Sequence, residues 1–388
     1  MGLAPSLEEL DQALQDKQQK KQKRQSTEFG TVSPVKPKQE EKHSMTENRP
    51  SNENTASYDL CADGVVEYKV FGLGGAGKNL SLRHARNSKQ DTPVVTIDTS
   101  GNDDSLDNVE SIRISGLSGR GKLRRDETTL EMITNFISDY VSDNEFADIN
   151  VVVHSLSGGS GSVIGPMMID EILRQGKVAV VIGIIDQDSE VDTINALNSL
   201  RTLDNIAKSR DGYIPMVLFD NANGRHIVDQ GVVSTLDKLN TLLSLPLIGL
   251  DKQDRYRFLQ PQSFDGVTTG LKLLNISSNQ DGNNWGDWEK NGQVHPDQES
   301  RERIDSMLII SHTEQHLTAS QRCVVTFRGY FEQGDVLIGS LGYQIPDKVI
   351  KDLNATIHSH KSQAQTKETK IDSDKDYEVG KAHGKLIL

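Results

Sequence analysis

The sequence predicts an α/β fold: a mostly parallel sheet with helices on both faces, followed by a smaller α+β part. Three observations predict it. Strand-length apolar runs alternate with helix-length segments from residue 65 to residue 219, which is the rhythm of a sheet built by βα crossovers. Two glycine-rich turns, at 72–79 and 155–162, each follow an apolar run and lead into a helix. One long apolar-periodic segment, 227–245, closes the alternation, and Pro246 marks its end.

Strands are expected at 65–71, 94–97, 111–114, 149–153, 178–184 and 214–219, all apolar or β-branched in character. Helices are expected between most of them, at 78–86, 127–141, 163–175 and 191–209. Residues 278–303 are polar and rich in Gly and Asn, and they read as a long loop in which Trp285 and Trp288 pack locally. Beyond the loop, 307–311, 324–328 and 340–343 read as strands. The ends differ in kind. Residues 1–57 are Gln-, Lys-, Glu-, Ser- and Asn-rich and cannot bury a core, although Ser6 and Glu9 could cap a short helix. Residues 359–388 are equally polar, with acids at Asp372, Asp374, Asp376 and Glu378. The expected organisation is therefore a disordered extension (1–57), a nucleotide-binding domain (58–226), a central helix (227–249), an α+β domain (250–358) and a flexible acidic tail (359–388).

A net charge of −13 over 388 residues argues against simple electrostatic binding to nucleic acid or to an anionic membrane. Cys61 and Cys323 are the only cysteines, too few for a disulfide scaffold and not spaced as metal ligands. No apolar run approaches membrane-spanning length, and the N-terminus lacks an apolar signal core. A soluble protein in a reducing cytoplasm is expected.

Glycine lets a backbone approach a phosphate closely, and the unpaired amides at a helix N-terminus bind the anion. The first turn, Gly72-Leu73-Gly74-Gly75-Ala76-Gly77-Lys78-Asn79, satisfies two patterns. With Asp98 about twenty residues on, it fits a dinucleotide fold; as G-x-x-x-x-G-K it fits a phosphate loop, but Asn79 replaces the Ser or Thr that ligates Mg²⁺. The second turn, Ser155-Leu156-Ser157-Gly158-Gly159-Ser160-Gly161-Ser162, is required by neither. A pair of cradles at one sheet edge suits a polyphosphate held from both sides. His154, at a strand end, is expected to be packed.

With both turns in place, the sequence resembles the tubulin and FtsZ superfamily. Gly74, Gly75, Ala76 and Asn79 match its first nucleotide loop. Ser157, Gly158, Gly159, Ser160 and Gly161 match its GGGTG[ST]G-type signature, with Ser157, Ser160 and Val163 as departures. Ser118, Gly119 and Arg120 stand in the place of its γ-phosphate loop, within a basic run that includes Lys122, Arg124 and Arg125. Glu190 matches the ribose-binding acid, while Ile194 stands where bacterial members carry Arg. Asn221 matches the guanine-reading Asn; Leu236 takes the place of a base-stacking aromatic, and Asn240 that of a second base reader. Asp98 closes the second strand beside the first loop. Asp251 and Asp254 match the activating N-x-D-x-x-D without its Asn; an N-cap with acidic support is the plain alternative.

The resemblance implies a tubulin-like fold and a GTPase that binds GTP or GDP with Mg²⁺ and polymerises into a longitudinal homopolymer. One subunit's Asp251 and Asp254 would complete the next subunit's site. The departures are more similar to phage tubulins (PhuZ-like) than to plasmid-segregating ones (TubZ-like). That implies a filament in host cytoplasm that positions phage DNA through some adaptor, with no membrane and no direct nucleic-acid contact. Two alternatives stay open: a Rossmann-type NAD(P) oxidoreductase, and a nucleotide-binding filament scaffold without turnover.

Overall fold

A continuous run of β-branched and apolar residues, buried on both faces, forms the middle of the sheet, as in β5 (Val178–Ile185), where all eight residues are buried. Around it the chain alternates β1 (Tyr68–Leu73), α1 (Gly74–Asn87), β2 (Val94–Asp98), β3 (Val109–Arg113), α2 (Glu127–Asp143), β4 (Ile149–Ser155) and α3 (Gly161–Arg174). After β5 come α4 (Glu190–Ser209), β6 (Tyr213–Asp220), α5 (Arg225–Ser244) and α6 (Lys252–Leu259). The remaining elements are β7 (Gly270–Asn279), β8 (Ser306–Ser311), β9 (Val324–Arg328), β10 (Val336–Tyr343) and α7 (Asp347–Ser373). This computed structural model describes residues 66–88, 92–100, 106, 108–117, 127–244, 251–261, 269–279, 292–296, 305–311, 324–328 and 336–373.

The strands form one sheet in the order β3-β2-β1-β4-β5-β6-β7-β10-β8-β9. From β3 through β7 every pairing is parallel. β10 is antiparallel to both its neighbours, and β8 pairs β9 in parallel. Alternate side chains point to opposite faces, so two apolar layers result. One packs Phe71, Leu73, Val152 and Val181 against α2, α3, α4 and Leu353 of α7. The other packs Val70, Val151 and Val180 against α1, α5 and α6.

Three differences from expectation follow from packing. β7, not expected as a strand, pairs parallel with β6 from Tyr213↔Gly270 to Met216↔Leu273; the later strands therefore extend the same sheet. α1 starts at Gly74, inside the first glycine turn. α7 runs to Ser373, well past residue 359; Val349, Ile350, Leu353 and Ile357 seat its first half against the core at helical spacing. The extension 1–57, the two tryptophans and residues 374–388 lie outside the described residues. No helix among the described residues is long and apolar enough to cross a membrane.

Candidate functional site

Parallel strands bring their carboxyl ends to one edge, where crevices between loops accept ligands. Leu73, Asp98, Ser155, Ile185 and Asp220 end their strands there. The two glycine turns follow Leu73 and Ser155 and touch each other. A Cβ at Gly74, whose φ is +71°, would stand 2.5 Å from the Gly161 nitrogen. A Cβ at Gly77 would stand 2.1 Å from the Val153 carbonyl oxygen, so α1 lies directly on β4. Only bare backbone allows this approach. The result is two helix N-termini side by side; in the second, the Ser162 and Val163 amides bond back to the Gly158 and Ser160 carbonyls at 3.3 and 3.1 Å.

Local hydrogen bonds fix the second turn. The Gly158 and Ser157 amides donate to Ser155 Oγ at 2.9 and 3.2 Å. Ser157 Oγ donates to the Asp186 carbonyl and accepts from the Asp186 amide, both at 2.7 Å. Asn195 donates to the Ser157 carbonyl at 3.1 Å. Ser160 does not cap α3; its hydroxyl shares a 2.8 Å bond with Thr99 Oγ1. Thr99, beyond β2, therefore belongs to the site, and no glycine pattern points to it. His154 lies fully buried behind the turn with Gly165 against its ring, and burial pushes its pKa down to about 4. It is the packed histidine that was expected.

Asp98 ends β2 beneath Gly75, 4.0 Å from where a Cβ would sit. It is 3% exposed and accepts from its own turn, from the Thr99 amide at 2.8 Å and from Ser100 Oγ. A dinucleotide fold needs that carboxylate turned outward to a ribose, so the oxidoreductase alternative loses its acid. The phosphate-loop pattern fails as well, since α1 begins at Gly74 and leaves no loop to wrap a phosphate.

On the other side of the second turn, Asp186 collects Asn221 and Arg225. Its Oδ2 accepts from Asn221 at 3.2 Å and from Arg225 at 2.9 Å, and Arg225 also bonds Asp188. Asp220 Oδ1 accepts from the Ala222 amide at 2.9 Å, holding the short turn Asn221–Asn223. Burial raises the Asp220 pKa. Glu190 opens α4 behind its N-cap Ser189. The structure thus gathers Gly74, Gly75, Ala76, Asp98, Ser157, Gly158, Gly159, Ser160, Gly161, Glu190 and Asn221 at one edge, with Asn79 exposed further along α1. Ser118, Gly119 and Arg120 lie outside the described residues.

Two expected base-contacting residues are corrected. Leu236 is fully buried in the apolar layer under α5 and offers no face to a base. Asn240 is 3% exposed and donates to Thr92 Oγ1 at 2.6 Å. Thr92 precedes β2 at the amino edge, about 20 Å along the strand from Asp98. At the start of α5 it is Arg225 that stands with Asn221, both bonded to the same Asp186 carboxylate oxygen. The available signal was the start of the helix, immediately after Gly224.

The acidic pair lies at the amino edge too. Asp251 is the N-cap of α6 and accepts from the Asp254 amide at 2.8 Å; Asp254 accepts from the Asp251 amide at 3.4 Å. Lys252, between them, pairs with Asp148 at 2.5 Å, and Asp148 immediately precedes β4. Burial works to raise the Asp148 pKa, but Lys252, the Glu67 amide and Lys177 outweigh it and hold it below the usual carboxylate range. The whole length of β4, about 20 Å, separates this anchor from the glycine turns. Among the described residues no three His, Cys, Asp or Glu side chains are gathered to hold a metal ion.

Known proteins share this fold. The solved protofilament of TubZ from bacteriophage PhiKZ superposes with a TM-score of 0.65 at 19% identity, covering 77% of this chain and 92% of that one. The phage tubulin PhuZ bound to GDP superposes at 0.62 and 17% identity, covering 78% and 93%. In sequence, the phage tubulin-like protein of Pseudomonas phage PhiPA3 is 26% identical over 219 residues, which is 55% of this chain and 68% of that protein. The chain has a tubulin-like fold and is similar in sequence to phage tubulin-like proteins. No protein-family model matches it, in keeping with the departures of this tubulin-like chain from the superfamily signature at Ser157, Ser160 and Val163.

Proposed function

We propose that this tubulin-like chain binds GTP at the carboxyl edge of its sheet, polymerises head to tail, and hydrolyses the nucleotide only between subunits. The observation that carries the reading is the separation of parts. The phosphate cradle is at one edge, and the paired carboxylates Asp251 and Asp254 are tied to the other through Lys252 and Asp148. No side-chain motion spans about 20 Å, so acids that serve this kind of cradle must come from a second copy.

In this reading the amides of Gly74–Gly77 and Gly159–Gly161 hold the phosphates and offset the charge that builds up on them. Glu190 and Asn221 face the sugar and base. Asp251 and Asp254 of the neighbour orient the attacking water and accept its proton. The cradle suits a polyphosphate because the two turns meet through glycine backbone, at Gly74 and Gly161. Mg²⁺ would be held chiefly by phosphate oxygens and water, its usual habit, with the Thr99 and Ser160 hydroxyls nearest; it would neutralise phosphate charge. Support for a guanine nucleotide and for self-assembly comes from the related phage proteins, one solved with GDP and one as a protofilament.

One observation favours a second reading. Asp251 and Asp254 already satisfy each other's backbones in a capping box, which is the whole role the pair would have in a scaffold without turnover. Phosphate release and sedimentation, measured together with GTP and with GDP, decide between them. GTP-dependent pelleting with phosphate release supports the shared site; pelleting without release supports the scaffold; binding of neither nucleotide overturns both.

A further inference from the structure

We propose that helix α7 positions the sugar-and-base half of the pocket, and that Gln187 is the joint through which it acts. Gln187 stands in the loop between β5 and α4, directly after Asp186. Three parts of the molecule meet on it. Its Nε2 donates to Asp220 Oδ2 at 3.3 Å, and the other oxygen of Asp220 holds the turn that presents Asn221. Its Oε1 accepts from Thr356 Oγ1 of α7 at 2.9 Å. Its carbonyl accepts from His360 Nε2 of α7 at 3.2 Å.

These contacts follow from how α7 packs. Leu353 is fully buried in the core, and Thr356 and His360, three and seven residues on, lie on the same helical face. The apolar stripe seats the helix, and the polar residues that continue it fall on the loop. Lys361 adds a 3.9 Å approach to Glu190, mostly in solvent, where such pairs contribute little. The hydrogen bonds to Gln187 are therefore the working contacts. Each is worth little alone, but together they fix a loop and a turn that carry Glu190 and Asn221. A loop held before the ligand arrives costs less to order when it binds.

The consequence rests on the guanine-nucleotide reading of the pocket: α7 and the nucleotide must influence each other equally. Calorimetric titration of dilute full-length protein with GDP and ADP tests it. Gln187→Ala, and separately the double variant Thr356→Val/His360→Ala, should weaken GDP binding about tenfold and narrow the preference for GDP over ADP. Melting temperatures should stay near the parent's. His360→Gln, which keeps a donor at the Nε2 position, should restore most of the affinity relative to His360→Ala. Hydrogen exchange across α7 should slow when GDP binds the parent protein and not when it is added to Gln187→Ala. Parent-like GDP affinity and selectivity in folded variants overturn the role of α7 alone. Failure of the parent to bind GDP overturns the nucleotide reading with it.

Discussion

A methyl group added at Gly74 would stand 2.5 Å from the Gly161 nitrogen, whereas one added at Gly75 meets nothing nearer than Asp98 Oδ2 at 4.0 Å. The two neighbours therefore separate folding from binding. Gly74→Ala carries both a left-handed φ, costing roughly 1–2 kcal/mol, and a collision with backbone, so it should lower the melting temperature and loosen the contact between the turns. Gly75→Ala has room and sits in a first helical turn, where alanine is if anything favoured by up to about 1 kcal/mol. Its melting temperature should hold or rise while GTP affinity falls at least about tenfold, because the space it fills is the phosphate's. Parent-like affinity in Gly75→Ala would move the phosphate off this turn. His154 makes a prediction in pH. Its folded pKa of about 4 lies below its ordinary value, so the unfolded chain takes up a proton near pH 6.5 that the folded chain refuses. Its contribution is intact above pH 6.5 and is lost progressively towards pH 4, by up to about 3 kcal/mol. Denaturant midpoints measured between pH 7 and pH 4.5 should show that slope, and His154→Leu should flatten it.

At the scale of elements, α6 poses the sharpest question, because capping and catalysis ask for the same two side chains. Asp251→Ser separates them: serine caps as well as aspartate does but cannot orient water as an anion. The variant should melt like the parent, keep GTP binding and lose phosphate release; retained release would reduce the pair to a cap. Most of this architecture was legible in the sequence. The β-branched runs gave the parallel strands, and the glycine turns gave the close backbone contacts at the carboxyl edge, which only glycine permits at Gly74 and Gly77. What escaped depended on partners distant in the chain. β7 is a strand because β6 lies beside it, and the first half of α7 is seated by the core surface under Leu353. Thr99 enters the site only when β2 and the second turn are brought together. Leu236 and Asn240 were matched by their place along the long helix. A helix advances 1.5 Å per residue, so a position eleven or more residues past Arg225 is carried well beyond the carboxyl edge.

For the whole molecule the decisive feature is polarity. The sheet has a carboxyl edge with the proposed phosphate cradle and an amino edge with the acids Asp251 and Asp254, and one strand's length keeps them apart. On the proposed reading, copies stacked end to end bring opposite edges together, so each junction would hold one complete site and a free monomer none. Turnover per subunit should then be near zero in dilute solution and rise steeply above a threshold concentration, where filaments first pellet. Asp254→Asn is the test variant, since its side-chain carbonyl can still accept from the Asp251 amide and keep the cap. It should bind GTP as the parent does, because the residue is remote from its own cradle, and its filaments should persist, because their GTP is no longer consumed. Mixing supplies the control. Gly75→Ala subunits that cannot hold GTP, added to Asp254→Asn subunits that can, should restore phosphate release wherever a Gly75→Ala subunit presents its intact acids to an Asp254→Asn neighbour's loaded cradle. A site contained within one chain predicts the reverse: specific activity independent of concentration, and no rescue on mixing. Full GTPase activity in demonstrably monomeric protein would sink the shared site.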